Sequence, residues 1–151
     1  MKPFFAPVLF VLAFLTIFSF STHAQDSEKL LTKAARIHKA AFTVDSHTDT
    51  PLNFANKKFN VALDNSEVLS RSCVDFPRMQ KGGLDAVFFA MFTSQGPRTA
   101  EANAKIKVKA EAIFDSIYAA VNRNSNISGV ATTPEEAYKL VKKNKSVVFI
   151  G

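Results

Sequence analysis

Phe42-Thr43-Val44-Asp45-Ser46-His47-Thr48-Asp49-Thr50-Pro51 is the stretch on which the reading of this chain turns. Its apolar, β-branched start predicts a strand over 42–45, with residues 46–51 as the polar lip at its C-terminal end. Pro51 has no N–H for a ladder and stops the strand. Residues i and i+2 of an extended segment point to the same side. His47 and Asp49 therefore aim an imidazole nitrogen and a carboxylate oxygen at one place, and zinc accepts both donor types. His-x-Asp arises often by chance. Its place after a strand and before a proline is what raises it, because barrel enzymes present their functional groups at the C-terminal ends of strands. The competing reading is a polar strand end, with Asp45 capping local backbone and His47 merely exposed. Asp45 shares a side with His47 only if the strand stays regular, so a supporting role suits it better than ligation.

Outward from that stretch the chain alternates helix and strand. Upstream, Leu30, Leu31, Ala34, Ala35, Ile37, His38 and Ala41 recur at helical spacing and predict an amphipathic helix. His38, on that stripe or at its margin, is expected to be a packed or boundary histidine rather than a ligand. Downstream, residues 52–73 are irregular and long enough to cover a site. Asp75-Phe76-Pro77-Arg78-Met79-Gln80-Lys81-Gly82-Gly83 predicts a short helix capped by Asp75, with Pro77 in its first turn and the glycine pair ending it. Leu84 to Phe92 is almost continuously apolar, as a strand covered on both faces should be. A helix is expected from about Thr99 to Asn122, then a polar connector over Asn122–Gly129. Thr133-Pro134-Glu135-Glu136 opens another helix, running to about Asn144. Ser146 to Ile150 is a third strand.

Apolar strands alternating with helices predict parallel α/β. Three strands are too few for the eight of a barrel, which takes about 250 residues. The fold expected is the N-terminal part, about three strands, of a (β/α)8 TIM barrel. Residues 25–151 are expected to be its N-terminal portion, truncated after the third strand.

The first residues are read separately. Lys2, an uncharged Phe-rich run from Phe4 to Phe20, and small residues up to Ala24 form a secretory signal pattern. An uncleaved anchor is the competing reading, since the run is near the roughly 18-residue limit for a span. Cleavage near Ala24 implies export, periplasmic or extracellular. It removes one Lys and no acid, leaving 18 basic and 13 acidic residues, net +5. That surplus is scattered over predicted helix exteriors and lacks the dense basic, aromatic-laced stripe that nucleic-acid binding needs. The one cysteine, Cys73, has no internal disulfide partner and is expected to be a small buried residue, or to pair elsewhere.

Val44-Asp45-Ser46-His47-Thr48-Asp49-Thr50-Pro51 resembles the opening motif of the membrane dipeptidase (renal dipeptidase) family, Asp-Gly-His-Asn-Asp-(x)-Pro. Residues 75–83 are similar to the run before that family's second strand, Phe88-Phe89-Ala90-Met91-Phe92 to the strand itself, and Val147-Val148-Phe149-Ile150-Gly151 to the start of its third. The resemblance spans roughly residues 36–151. It implies an amidohydrolase-type barrel that hydrolyses dipeptides at two zinc ions bridged by a carboxylate, with His47 and Asp49 ligating one zinc. The bridging glutamate is expected just past Gly151. Ser46 stands for the usual Gly and Thr48 for the usual Asn, and neither change removes a ligand. The partners implied are a dipeptide substrate, no nucleic acid, no membrane span once the leader is removed, and room for a homodimer of the full-length protein. Two other functions compete: another amidohydrolase-type metal hydrolase acting on a cyclic amide, lactone or phosphoester, and a periplasmic binding module without chemistry.

Overall fold

The computed structural model describes residues 27–67 and 73–151. The signal-like segment, and the apolar pair Val68 and Leu69, lie outside the described residues. The chain divides into two compact units, Met1–Ala41 and Phe42–Gly151. In the first, residues 27–40 form helix α1. The helix is where periodicity puts it, but its stripe is not buried: Leu30, Leu31 and Ile37 are 67%, 72% and 57% exposed, and His38 is exposed too. Periodicity reports an amphipathic face and does not by itself supply the surface that covers it. Among the described residues no helix is long and apolar enough to cross a membrane.

The second unit is a parallel sheet with helices on both faces. Its elements are β1 (Val44–Thr48), a 3-10 turn (Thr50–Asn53), α2 (Phe76–Gly82), β2 (Ala86–Phe89), α3 (Ala100–Arg123), β3 (Ser128–Val130), α4 (Pro134–Val141) and β4 (Ser146–Ile150). The spatial order is β1-β2-β4-β3, every neighbouring pair parallel. Strand β3 occupies the end of the stretch expected to be a polar connector. Its three residues, Ser-Gly-Val, carry almost no hydrophobic signal. They pair with Ser146, Val147 and Val148, and Gly129 lies against Leu140, so tertiary contact makes the strand.

The order also fixes the layers. Passage from β1 to β2 to β3 runs one way across the sheet, and β3 to β4 runs back. Right-handed crossovers then put α2 and α3 on one face and α4 on the other. The cores agree. Phe76 and Met79 of α2 and Ile117, Ala120 and Val121 of α3 pack with Val87, Phe89 and Val148. Ala137 of α4 packs with Ala86 and Val147 on the opposite face. Only the last turns of α3 are fully buried, and Phe114 on the same stripe is 40% exposed.

The helix signals in the sequence are realised as side-chain bonds. Asp75 accepts the Arg78 N–H at 2.9 Å, and Gly83 closes α2 with φ of 68°, a left-handed conformation that glycine adopts without a Cβ clash. Thr99 caps α3 through the Ala102 N–H. Thr133 accepts from the Glu136 N–H, while the Glu136 carboxylate takes the Thr132 N–H and hydroxyl at 2.8 and 2.9 Å. Those two bonds hold the Glu136 carboxyl below the usual glutamate range. Cys73 is exposed, on the irregular approach to α2, so of the two alternatives for it the small buried residue is not realised. The described part of the long loop after β1, residues 52–67, is irregular beyond the 3-10 turn, yet it contributes Phe59 and Val61 to the core. It is fastened to α2 by Asp75, which is fully buried. The second Asp75 oxygen takes the Asn65 N–H at 2.8 Å and the Arg78 Nε–H at 2.8 Å.

Candidate metal centre

The C-terminal ends of β1, β2 and β4 lie level. Thr48 is in register with Phe89, and Phe89 with Ile150. Backbone bonds continue past that rung: Ala90 N–H to the Thr48 carbonyl at 3.0 Å, Gly151 N–H to Phe89 at 3.2 Å, and Met91 N–H to Gly151 at 2.8 Å. Asp49, Ala90 and Gly151 therefore begin one shared lip. With parallel neighbours ~4.8 Å apart, the end of β4 lies roughly 10 Å across the lip from the end of β1.

Strand β1 starts two residues later than its apolar pattern suggests and runs to Thr48, so His47 is inside the strand and Asp49 is the first residue beyond it. The strand is not regular. Asp45 pairs with Val87 but Thr48 pairs with Phe89, so β1 spends three steps where β2 spends two. That is a bulge, a device that re-aims a side chain and leaves an amide without its ladder partner. Here the Asp45 carboxylate takes the His47 N–H at 2.9 Å. Asp45 thus caps local backbone, an arrangement that the supporting role and the plain polar strand end share.

His47 and Asp49 come together. Nε2 of His47 lies 3.3 Å from Oδ1 of Asp49, with the two side chains 64% and 54% exposed. At that distance they share a long hydrogen bond. It is also close to the donor–donor edge of about 3.4 Å expected around a tetrahedral zinc with ligand bonds of ~2.0–2.2 Å. The pair meets although Asp49 is not extended: its φ of −83° and ψ of 18° lie in the bridge region, where active-site residues often sit. Between and after the pair, the side chains of Thr48 and Thr50 are buried and joined hydroxyl to hydroxyl at 2.7 Å. Sequence reasoning passed over both threonines. Their signal is the polar alternation His-Thr-Asp-Thr, in which one set of side chains must face inward.

Among the described residues no three His, Cys, Asp or Glu side chains gather closely enough to hold a metal ion. Two donors from one strand are half of a tetrahedral set. A cavity of about 670 Å³ is lined by aromatic groups of α3, α4 and the strands, including Phe88 and Phe149, which stack at 4.7 Å. It contains neither His47 nor Asp49. A second cavity, about 340 Å³, lies at the opposite, N-terminal end of the strands beside Asp85 and Ser146, away from the lip.

A search of curated proteins returns no match for this chain. Among solved structures it is similar to the probable dipeptidase PvdM from Pseudomonas aeruginosa, at 20% identity and a TM-score of 0.69, over 82% of this chain and 31% of that one. It is also similar to the dipeptidase AC, a metallopeptidase of family M19, at 20% identity and a TM-score of 0.56, over 72% of this chain and 33% of that one. This chain thus spans about a third of the length of either structure. At such identity the likeness establishes the fold: the sheet is the N-terminal portion of a (β/α)8 barrel, with β1, β2 and β4 level at one lip. The family model for membrane dipeptidase (Peptidase family M19) matches residues 31–151, a span that includes the His47–Asp49 lip and all four strands, and the chain belongs to that family.

Proposed function

We propose that the protein carrying this chain is an exported zinc dipeptidase, cleaving the peptide bond of dipeptides with metal-activated water. The observation that supports this most directly is the His47–Asp49 pair at the C-terminal lip of a family M19 barrel strand, with donor atoms 3.3 Å apart. Export rests on the leader-like run Phe4–Phe20, with cleavage near Ala24.

Zinc, two ions in the complete enzyme, supplies a Lewis acid for the scissile carbonyl and lowers the pKa of a bound water. The residues present fit that group as an incomplete set. His47 offers the Nε2 lone pair of a neutral imidazole, and Asp49 offers a carboxylate that offsets part of the cation's charge. Asp45 holds the His47 backbone through its N–H. The level ends of β1 and β4 put Gly151, which follows Ile150, at the same lip as Asp49. Two donors cannot hold a two-metal centre, so residues 25–151 alone are expected to be inactive.

The test is metal content and dipeptide hydrolysis of the purified full-length protein, beside His47→Ala and Asp49→Ala. The reading predicts about two zinc per chain in the parent, with zinc and activity both lost in each variant. A metal-free parent that hydrolyses dipeptides overturns the metal reading. A zinc protein that cleaves only a lactone, cyclic amide or phosphoester overturns the substrate.

A further inference from the structure

We infer that Thr48 and Thr50 are positioning residues for the His47–Asp49 pair, a role that rests on the metal reading proposed above. Four observations carry it. Asp49 leaves the extended conformation, with ψ of 18°, so the strand's own geometry does not fix where its carboxylate points. The Thr50 N–H donates to the Thr48 hydroxyl oxygen at 3.3 Å, a side-chain-to-backbone turn closed around Asp49. The Thr48 and Thr50 hydroxyls bond to each other at 2.7 Å. Both residues are buried, at 9% and 5% exposure, whereas the ligand pair is exposed.

The physical consequence is a two-sided segment. Its outward side carries two donors in solvent, where free rotors would cost entropy each time they were ordered on a cation. Its inward side is a satisfied hydroxyl pair shielded from competing water, and such buried bonds are the ones that persist. The Asp45 bond to the His47 N–H pins the other end of the pair. Residues 45–50 thus hold the donors by two successive turns, one around each side of His47-Thr48, and the hydroxyl pair is the buried anchor.

The experiment uses the full-length protein with Thr48→Val, Thr50→Val, the double variant, and Thr48→Ser. Valine keeps the shape and β-branching and removes the hydroxyl. Zinc affinity is read by chelator competition, the visible spectrum by cobalt substitution, and folding by thermal unfolding of the chelated protein. Each single valine variant should lose about 10- to 100-fold in zinc affinity, the range for groups that orient a ligand. Its cobalt spectrum should be altered. Thr48→Ser should stay within about threefold of the parent. The double variant should lose no more than Thr48→Val, because removing both hydroxyls strands neither of them and the Thr50 N–H has already lost its acceptor in that single variant. Parent-like affinity and spectra in folded valine variants overturn the positioning role. Where a valine variant does not fold, Thr48→Ser decides: a tenfold loss there refutes the hydroxyl as the agent. A parent that binds no zinc instead overturns the metal reading beneath it.

Discussion

Asp75 is the place to test whether the loop after β1 is held as described. The substitution is Asp75→Ala. It removes a fully buried carboxylate that receives the Arg78 N–H, the Arg78 Nε–H, the Asn65 N–H and the Asn65 amide at 2.9, 2.8, 2.8 and 3.2 Å. Deleting one partner of a buried, bonded ion pair costs about 3–5 kcal/mol. The cost falls at the low end here. The Arg78 side chain is 23% exposed and has Asp64 3.7 Å away, so its charge is not left dry. Asn65 has no such escape: it is 2% exposed and its N–H loses its acceptor. The expected loss is about 3 kcal/mol, of which about 1 is the helix cap. Asp75→Asn keeps the cap oxygen and loses the charge, so it should fall between parent and alanine. Urea unfolding reads the difference as a shift in midpoint at constant slope. Loss of the clamp should also speed proteolysis within residues 60–67, the part of the loop that Asn65 ties down. An alanine variant within about 0.5 kcal/mol of the parent would behave like a surface change, and the argument for a buried clamp would be wrong.

Three further outcomes follow from the same geometry. Glu136 titrates low in the folded state, chiefly because of the Thr132 N–H and hydroxyl. Its contribution is therefore present above the unfolded pKa and lost as pH falls through the folded one. NMR of the side-chain carboxyl should show a depressed pKa that returns toward the ordinary value in Thr132→Ala. Gly83→Ala places a Cβ at φ of 68° and should destabilise by about 1 kcal/mol, measured by thermal unfolding. Chelation of the full-length protein should lower its Tm, and added zinc should restore it; an unchanged Tm would mean that no metal is bound to the native state.

Much of this protein is legible locally. The caps at Asp75, Thr99 and Thr133 are chemistry between residues three apart, so the sequence alone places them, and all three are realised. Strands β2 and β4 announce themselves because burial on both faces demands continuous apolar runs. The candidate donors His47 and Asp49 were visible for a similar reason, being two apart in a strand and its lip.

Other features depend on partners distant in sequence. Strand β3 exists because β4 offers it a ladder, and nothing in Ser-Gly-Val requires one. The stripe on α1 marks an amphipathic face, and its leucines are exposed. The bulge in β1 depends on register with β2, some forty residues away. So do the buried hydroxyls beside Asp49, which face inward only once the sheet and its covering loop are assembled. By itself, the sequence determined which residues could bind and which helices would start where. The tertiary structure decided how His47 and Asp49 are aimed and that the ends of β1, β2 and β4 share one lip. Side-chain identity is local, whereas register and burial arise only when segments far apart in the chain meet.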